Sequence, residues 1–159
     1  MQDSLRIQPV NSSNWRQIIA LQVADNQKKY IEQNEISLLE SVYDTKHRWK
    51  CYGLFNEITP VGFVMIGAEN KENRYIWLDR FMMDAKFQGR GFGAAFLQLI
   101  IEFIAEHHEV EEIVLSIIKE NSFAKAFYER NGFVNTGLVD EEFDEEIFAY
   151  KLNRNFNVE

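Results

Sequence analysis

The segment Gln88-Gly89-Arg90-Gly91-Phe92-Gly93-Ala94-Ala95-Phe96 restricts the possible folds of this chain more than any other stretch. Three of its 8 glycines fall within five residues, directly before the longest apolar-periodic run. The first N–H groups of a helix have no preceding turn to pair with, and the helix dipole makes that end positive. Glycines there let a bulky anion reach the main chain, so the stretch reads as a diphosphate cradle that opens a helix. Phe92, Ala95/Phe96, Leu99/Ile100 and Phe103/Ile104 recur at helical spacing through about 91–107. That stripe needs an apolar layer to lie on.

Such layers are present on both sides of it in the sequence. A first strand is expected over 5–10, and a helix over about 15–23 opens from the caps Asn11-Ser12-Ser13-Asn14. The polar stretch 24–35 carries Tyr30 and Ile31, and Ser37-x-x-Glu40 resembles a capping box that starts a short helix through Val42. Residues 49–55 and 61–68, joined by Asn56-Glu57-Ile58-Thr59-Pro60, read as a hairpin. Residues 74–83 form a third strand whose near-continuous apolarity, broken by Asp79 and Arg80, indicates cover on both faces. A compact strand over 113–117, a helix over 123–130 capped by Asn121-Ser122 and closed by Asn131-Gly132, and strands over 133–138 and 147–152 complete the chain. The order is β α α β β β α β α β β. It predicts a mixed α/β layer structure of α+β type in one domain over 1–159.

Composition narrows the partners. Seventeen basic residues stand against 25 acidic ones, a net charge of −8. Nucleic acid is a poor partner for that balance, and a small cationic ligand suits it better. Cys51 is the single cysteine, which leaves no internal disulfide, and it reads as a small buried hydrophobe. The histidines His47, His107 and His108 have no metal-binding spacing, and His107 suits the C-terminal end of a helix. No long uncharged run suggests a membrane segment, and a cytoplasmic protein is expected.

Gly89-x-Gly91-x-x-Ala94 formally matches a dinucleotide fingerprint, but several residues separate it from the strand ending at Met83 and no acid closes the next strand. A second pattern fits better. Gln88-x-x-Gly91-x-Gly93 after an apolar strand, followed by Asn121-x-x-Ala124-x-x-x-Tyr128-Glu129-x-x-Gly132-Phe133, resembles the two signatures of the GNAT superfamily of acetyl-CoA-dependent N-acetyltransferases. Asn14-Trp15, Leu21-x-Val23-x-x-Asn26-Gln27-x-x-Tyr30-Ile31, Ser37-Leu38 and Asp79-Arg80-Phe81-Met82 look like its bacterial spermine/spermidine acetyltransferase branch. This resemblance implies a mostly antiparallel sheet flanked by helices and splayed between the strands 81–83 and 113–117. It also implies acetyl-CoA as donor, with coenzyme A as product. Gln88, Gly89, Arg90, Gly91, Phe92, Gly93 and Ala94 would surround the diphosphate, and the main chain of Phe81, Met82 and Met83 would pair with the pantetheine arm. Asn121 and Ala124 would lie near the cofactor. Lys86, Arg90, Lys119, Lys125 and Arg130 are cations that could offset its charge, or ordinary solvated surface.

Acetyl transfer to an amine needs a neutral nucleophile, a stabilised oxyanion and a proton for the departing thiolate. On spacing alone Tyr128 reads more readily as an amphipathic packing residue, but within the second signature it matches the family tyrosine that protonates the sulfur. Under regular alternation Asp79 shares a side with Phe81 and Met83 and serves as base; a buried, paired carboxylate is the competing reading. Glu32, Glu35 and Glu69 are further candidates. Tyr30, Glu32 and Glu35, with the acidic 140–146 loop, would hold the ammonium groups of a polyamine such as spermidine or spermine. Two other functions remain open: a non-catalytic acyl-CoA sensor, and an enzyme acting on a protein N-terminus or lysine. A homodimer is also compatible with the resemblance.

Overall fold

A computed structural model describes residues 4–154, so the outermost ends of the 1–159 span lie outside the described residues. The elements run β1 (Leu5–Pro9), α1 (Trp15–Ile19), α2 (Asn34–Tyr43), β2 (Lys50–Asn56), β3 (Thr59–Asn70), β4 (Tyr75–Met83), α3 (Phe92–His107), β5 (Glu112–Ile118), α4 (Ser122–Arg130), β6 (Val134–Asp140) and β7 (Glu145–Lys151). One seven-stranded sheet has the order β1-β2-β3-β4-β5-β7-β6. Every neighbouring pair is antiparallel except β4 with β5. The expected order and the mixed, mostly antiparallel sheet are therefore both found.

Alternation along the strands gives the sheet two apolar faces. On one, Val64, Ile66, Ile76, Leu78 and Met83 pack with Phe96, Leu97, Ile100 and Ile104 of α3, and Ala124, Phe127 and Tyr128 of α4 join the same core. On the other, Phe55, Phe63, Met65 and Met82 enclose Ile18 of α1, with Leu38 of α2 against them. These are called the α3 face and the α2 face below.

Two boundaries differ from the sequence reading because tertiary partners intervene. Helix α1 stops at Ile19 instead of reaching residue 23, and the chain beyond it is claimed by the end of β4. There Gln22 N–H donates to the Asp84 carboxylate at 3.0 Å, and Ala85 N–H donates to the Gln22 carbonyl at 2.8 Å. Helix α2 begins at Asn34, not at Ser37, and the buried Asn34 amide donates to the Ile18 carbonyl at 2.9 Å. Ser37 is thus interior to the helix and has no capping role.

The sheet opens at one place. Strands β4 and β5 pair only at Tyr75↔Glu112, Ile76↔Ile113 and Trp77↔Val114. Beyond that point β4 continues along β3 to Met83, while β5 continues along β7 to Ile118. Among the described residues the β5-facing edge of 78–83 has no strand partner, and of its main-chain groups the Met83 carbonyl is taken by the Gln88 side chain, at a gap between two otherwise paired half-sheets.

Candidate active site

The glycine turn lies on the α3 face, where β4 ends. Gly89 and Gly91 take left-handed conformations (φ +77° and +82°), and a Cβ built at either would meet nothing within 4 Å. Glycine is required there for backbone conformation, and the space beside the main chain is open. No acceptor among the described residues takes the N–H groups from Gly89 to Ala94. Open space, free donors and a helix N-terminus fit a diphosphate. Gly93 is different: it is helical, and a Cβ would touch Phe127 at 3.5 Å, so its smallness serves the approach of α3 to α4.

Other members of the two motifs are scaffold as well as candidate ligand contacts. The Gln88 amide donates to the Met83 carbonyl at 2.9 Å and to Gln27 at 2.8 Å, and Gln27 donates back at 3.2 Å. Gln88 therefore fixes the end of β4 to the loop after α1. Asn121 caps α4 by accepting from the Ala124 N–H at 3.2 Å. The helix closes on Gly132 (φ +94°), with Phe133 N–H donating to the Tyr128 carbonyl at 3.0 Å. Of the candidate cations, Lys119 pairs with Asp144 at 2.8 Å, Lys125 pairs with Glu146, and Arg90 lies over the Phe87 ring.

Tyr128 stands on α4 between the Phe127 and Phe133 rings, at centroid distances of 5.2 and 5.4 Å. Burial pushes its phenol well above the usual range, so it keeps its proton at neutral pH. Among the described residues no group hydrogen-bonds its hydroxyl, which leaves a proton donor without a protein acceptor.

Asp79 requires a correction. Met65 pairs with Arg80 and Ile66 with Leu78, so Asp79 is the extra residue of a β-bulge. Leu78 and Phe81 both join the α3-face core, and the inserted residue breaks the alternation between them. Asp79 consequently does not share a side with Phe81 and Met83; it turns toward Arg80, which belongs to the α2 face. The Arg80 Nη1 lies 2.7 Å from Glu40, 3.3 Å from Ser37 Oγ and 3.6 Å from the Asp79 carboxylate, and Nη2 lies 3.3 Å from the second Glu40 oxygen. Partial burial raises Asp79 above the ordinary carboxylate range; Arg80 pulls it down, while Glu40 and Glu145 push it up.

The remaining candidates scatter. Glu32 is exposed and close enough to Arg80 for its charge to be felt there. With Glu35 it lines a cleft of about 80 Å³ beside Met82. Tyr30 is on the surface turn, with the Lys29 ammonium already over its ring at 4.9 Å. Glu69 leaves the set, because it is paired with His108 at 3.0 Å beyond the C-terminal end of α3. Cys51 is half-buried beside the Ser37 carbonyl, and burial pushes its thiol up to about 11, which keeps it an unreactive thiol. Sequence reasoning missed Glu40, and it took Glu145 only as one carboxylate of the 140–146 loop, whereas Glu145 opens β7. Glu40 was hidden inside an apparent capping box. Glu145 faces the α2 side beside Ser116, whose hydroxyl donates to it at 2.8 Å, while Glu146 points to α4 and Lys125.

A strand pair that splays beside a glycine-opened helix, with a half-buried tyrosine on the next helix, is the arrangement implied by the family resemblance of the two sequence motifs. The family model "Acetyltransferase (GNAT) family" matches residues 15–133. The chain belongs to the GNAT family of acetyltransferases. As a GNAT protein it is an acetyl-CoA-dependent N-acetyltransferase, which sets aside a purely sensing role. It is 36% identical over 142 residues to the spermine/spermidine N(1)-acetyltransferase of Bacillus subtilis strain 168, covering 86% of this chain and 92% of that one. In fold it resembles the Vibrio cholerae spermidine N-acetyltransferase solved with CoA and spermine: TM-score 0.71, 20% identity, 92% of this chain and 94% of that one. A Salmonella typhimurium acetyltransferase that modifies the N-terminal serine of ribosomal protein L7/L12 gives a TM-score of 0.70 at 18% identity, over 94% of this chain and 96% of that one. Among the described residues, no helix of this GNAT chain is long and apolar enough to cross a membrane.

Proposed function

We propose that the chain, acting as one catalytic domain, acetylates a primary amine of a polyamine such as spermidine or spermine. The donor is read as lying on the α3 face of the β4–β5 gap, and the amine as entering from the α2 face. The observation that carries the polyamine reading is the 36% identity to a spermine/spermidine acetyltransferase over 86% of the chain. The local charge supports it: Glu32, Glu40 and Asp79 surround a single guanidinium, and Glu145 lies across the gap. A net-acidic mouth favours a polycation.

Acetyl-CoA supplies the activated acetyl group. In this reading the N–H groups from Gly89 to Ala94 hold its diphosphate, and the unpaired edge of Phe81, Met82 and Met83 aligns its arm. Tyr128 keeps a proton at Oη for the leaving sulfur. The incoming ammonium must lose a proton, which costs about 4–5 kcal/mol at neutral pH for an amine of lysine-like pKa, and Asp79 is read as the group through which that proton leaves. Its raised pKa makes it a better acceptor than an ordinary aspartate. Glu32 and Glu35 are proposed to bind the distal ammonium groups, and Tyr30 to flank them. The free Cys51 thiol suits a reducing cytoplasm. Self-association, with a homodimer as the form compatible with the resemblance, is to be read by light scattering.

The likeness in fold to an enzyme acting on a ribosomal protein N-terminus keeps protein N-termini as the second acceptor class. A panel of spermidine, spermine, an N-terminal peptide and a lysine peptide, each incubated with acetyl-CoA and read by mass, separates them. Acetylated polyamine is expected; acetylation of the peptide alone would replace this reading with the second.

A further inference from the structure

Arg80 is shared unequally. Its guanidinium makes a two-point pair with Glu40 at 2.7 and 3.3 Å and takes the Ser37 hydroxyl at 3.3 Å. Its contact with Asp79, at 3.6 Å, is the longest of the set. The Arg80 side chain is 17% exposed, against 37% for Glu40 and 29% for Asp79, so water screens the arrangement in part. Ser37 and Glu40 are three residues apart on α2 and present one helix face to the bulge. The bulge brings the Asp79 carboxylate to the same side as its sequence neighbour Arg80, within reach of a local ion pair. Here α2 draws the guanidinium toward Glu40, at 2.7 Å, and leaves the ion pair with Asp79 as the longer contact, at 3.6 Å.

We propose that Glu40 is a positioning residue that occupies Arg80, with Ser37 as its second anchor, so that the Asp79 carboxylate stays available to the acceptor amine. This rests on the reading of Asp79 as proton acceptor and adds what keeps it free. Without Glu40, Arg80 has one close carboxylate left, Asp79, and an arginine pair lowers both its basicity and its access to a cation. The charged groups facing Asp79 are Arg80 on β4, Glu40 on α2, His47 beyond α2 and Glu145 on β7, with Glu32 acting on Arg80 from before α2. Of these, only Arg80 and Glu40 are joined in a two-point pair, so changing either partner has an effect of known sign.

The test is a carboxyl-carbon NMR titration of Asp79, together with the pH dependence of kcat/KM for spermidine. Glu40→Gln is expected to move the Asp79 midpoint and the acidic limb down by about one pH unit or more, since an arginine within ion-pair distance lowers an aspartate by about 1–3 units. Arg80→Gln is expected to move both up, and in that background Glu40→Gln should shift them much less than it does with Arg80 present; equal shifts in the two backgrounds, the signature of the Glu40 charge alone, would overturn the proposal. Arg80→Lys, which keeps the charge without the two-point fork, covers the case in which Arg80→Gln does not fold, and gives a smaller downward shift as its ammonium is shared with Asp79. Midpoints that stay in place, or that move in the same direction for Glu40→Gln and Arg80→Gln, would overturn the proposal. Asp79→Asn separates the two levels. If the acidic limb survives in it, Asp79 is not the proton acceptor, while the NMR midpoints still decide whether Glu40 draws Arg80 toward itself.

Discussion

The two ends of β4 are built from similar residues and do different things. From Tyr75 to Trp77 the strand is paired on both sides, to β3 and to β5, and Ile76 is buried in the α3-face core. From Leu78 to Met83 four of six residues are still apolar, yet one edge is open, Asp79 bulges out, and charged groups gather on the α2 face. Backbone pairing separates a stretch joined to strands on both sides from one with an open edge, proposed above as the ligand-facing end. Unpaired main chain inside a protein is tolerated where something else is to be bound.

The comparison can be broken most severely at Tyr128, the proton donor proposed to serve the open end. Tyr128→Phe keeps the ring between Phe127 and Phe133 and removes only the hydroxyl. A fall in kcat of about 100-fold or more is expected, the usual scale of a lost general acid. An unchanged rate of thiol release would remove Tyr128 from that role. At the closed end, Ile76→Ala is expected to cost about 2–5 kcal/mol of stability, with kcat per folded molecule unchanged. Denaturant unfolding measures the first quantity, and active-site titration against turnover measures the second. A smaller effect is expected at Gly91. Its φ of +82° is poorly tolerated by other residues, and forcing alanine there costs about 1–2 kcal/mol, relieved by a shift of the turn. KM for acetyl-CoA should rise up to about tenfold while KM for spermidine holds; a parallel rise in both would mean that the turn serves the whole site.

Much of this architecture was legible because its signals are local. The stripe from Phe92 to Ile104, the Gly89/Gly91 turn and the Asn121–Gly132 brackets of α4 each depend on neighbours a few residues apart, and each is found. The acceptor side was much less legible. A bulge is a property of two strands, so sequence alternation put Asp79 on the wrong face. Ser37-x-x-Glu40 has the spacing of a capping box, but its partner is Arg80, forty residues further along the chain. Glu145 and Glu146 are equivalent in sequence and separate only once β7 takes its register on β5, one toward Ser116 and one toward Lys125. Glu69 looked like a base until the fold brought His108 to it.

The central claim is that donor and acceptor approach the gap between β4 and β5 from opposite faces of one sheet. Backbone amide NMR, with coenzyme A and spermine titrated separately, tests it residue by residue. The account predicts that coenzyme A shifts Gly89 to Ala94 and Phe81 to Met83, whereas spermine shifts Asp79, Arg80, Glu145 and the α2 surface near Glu40. Coenzyme A signals absent from the glycine turn, or both ligands moving the same set of amides, would contradict it.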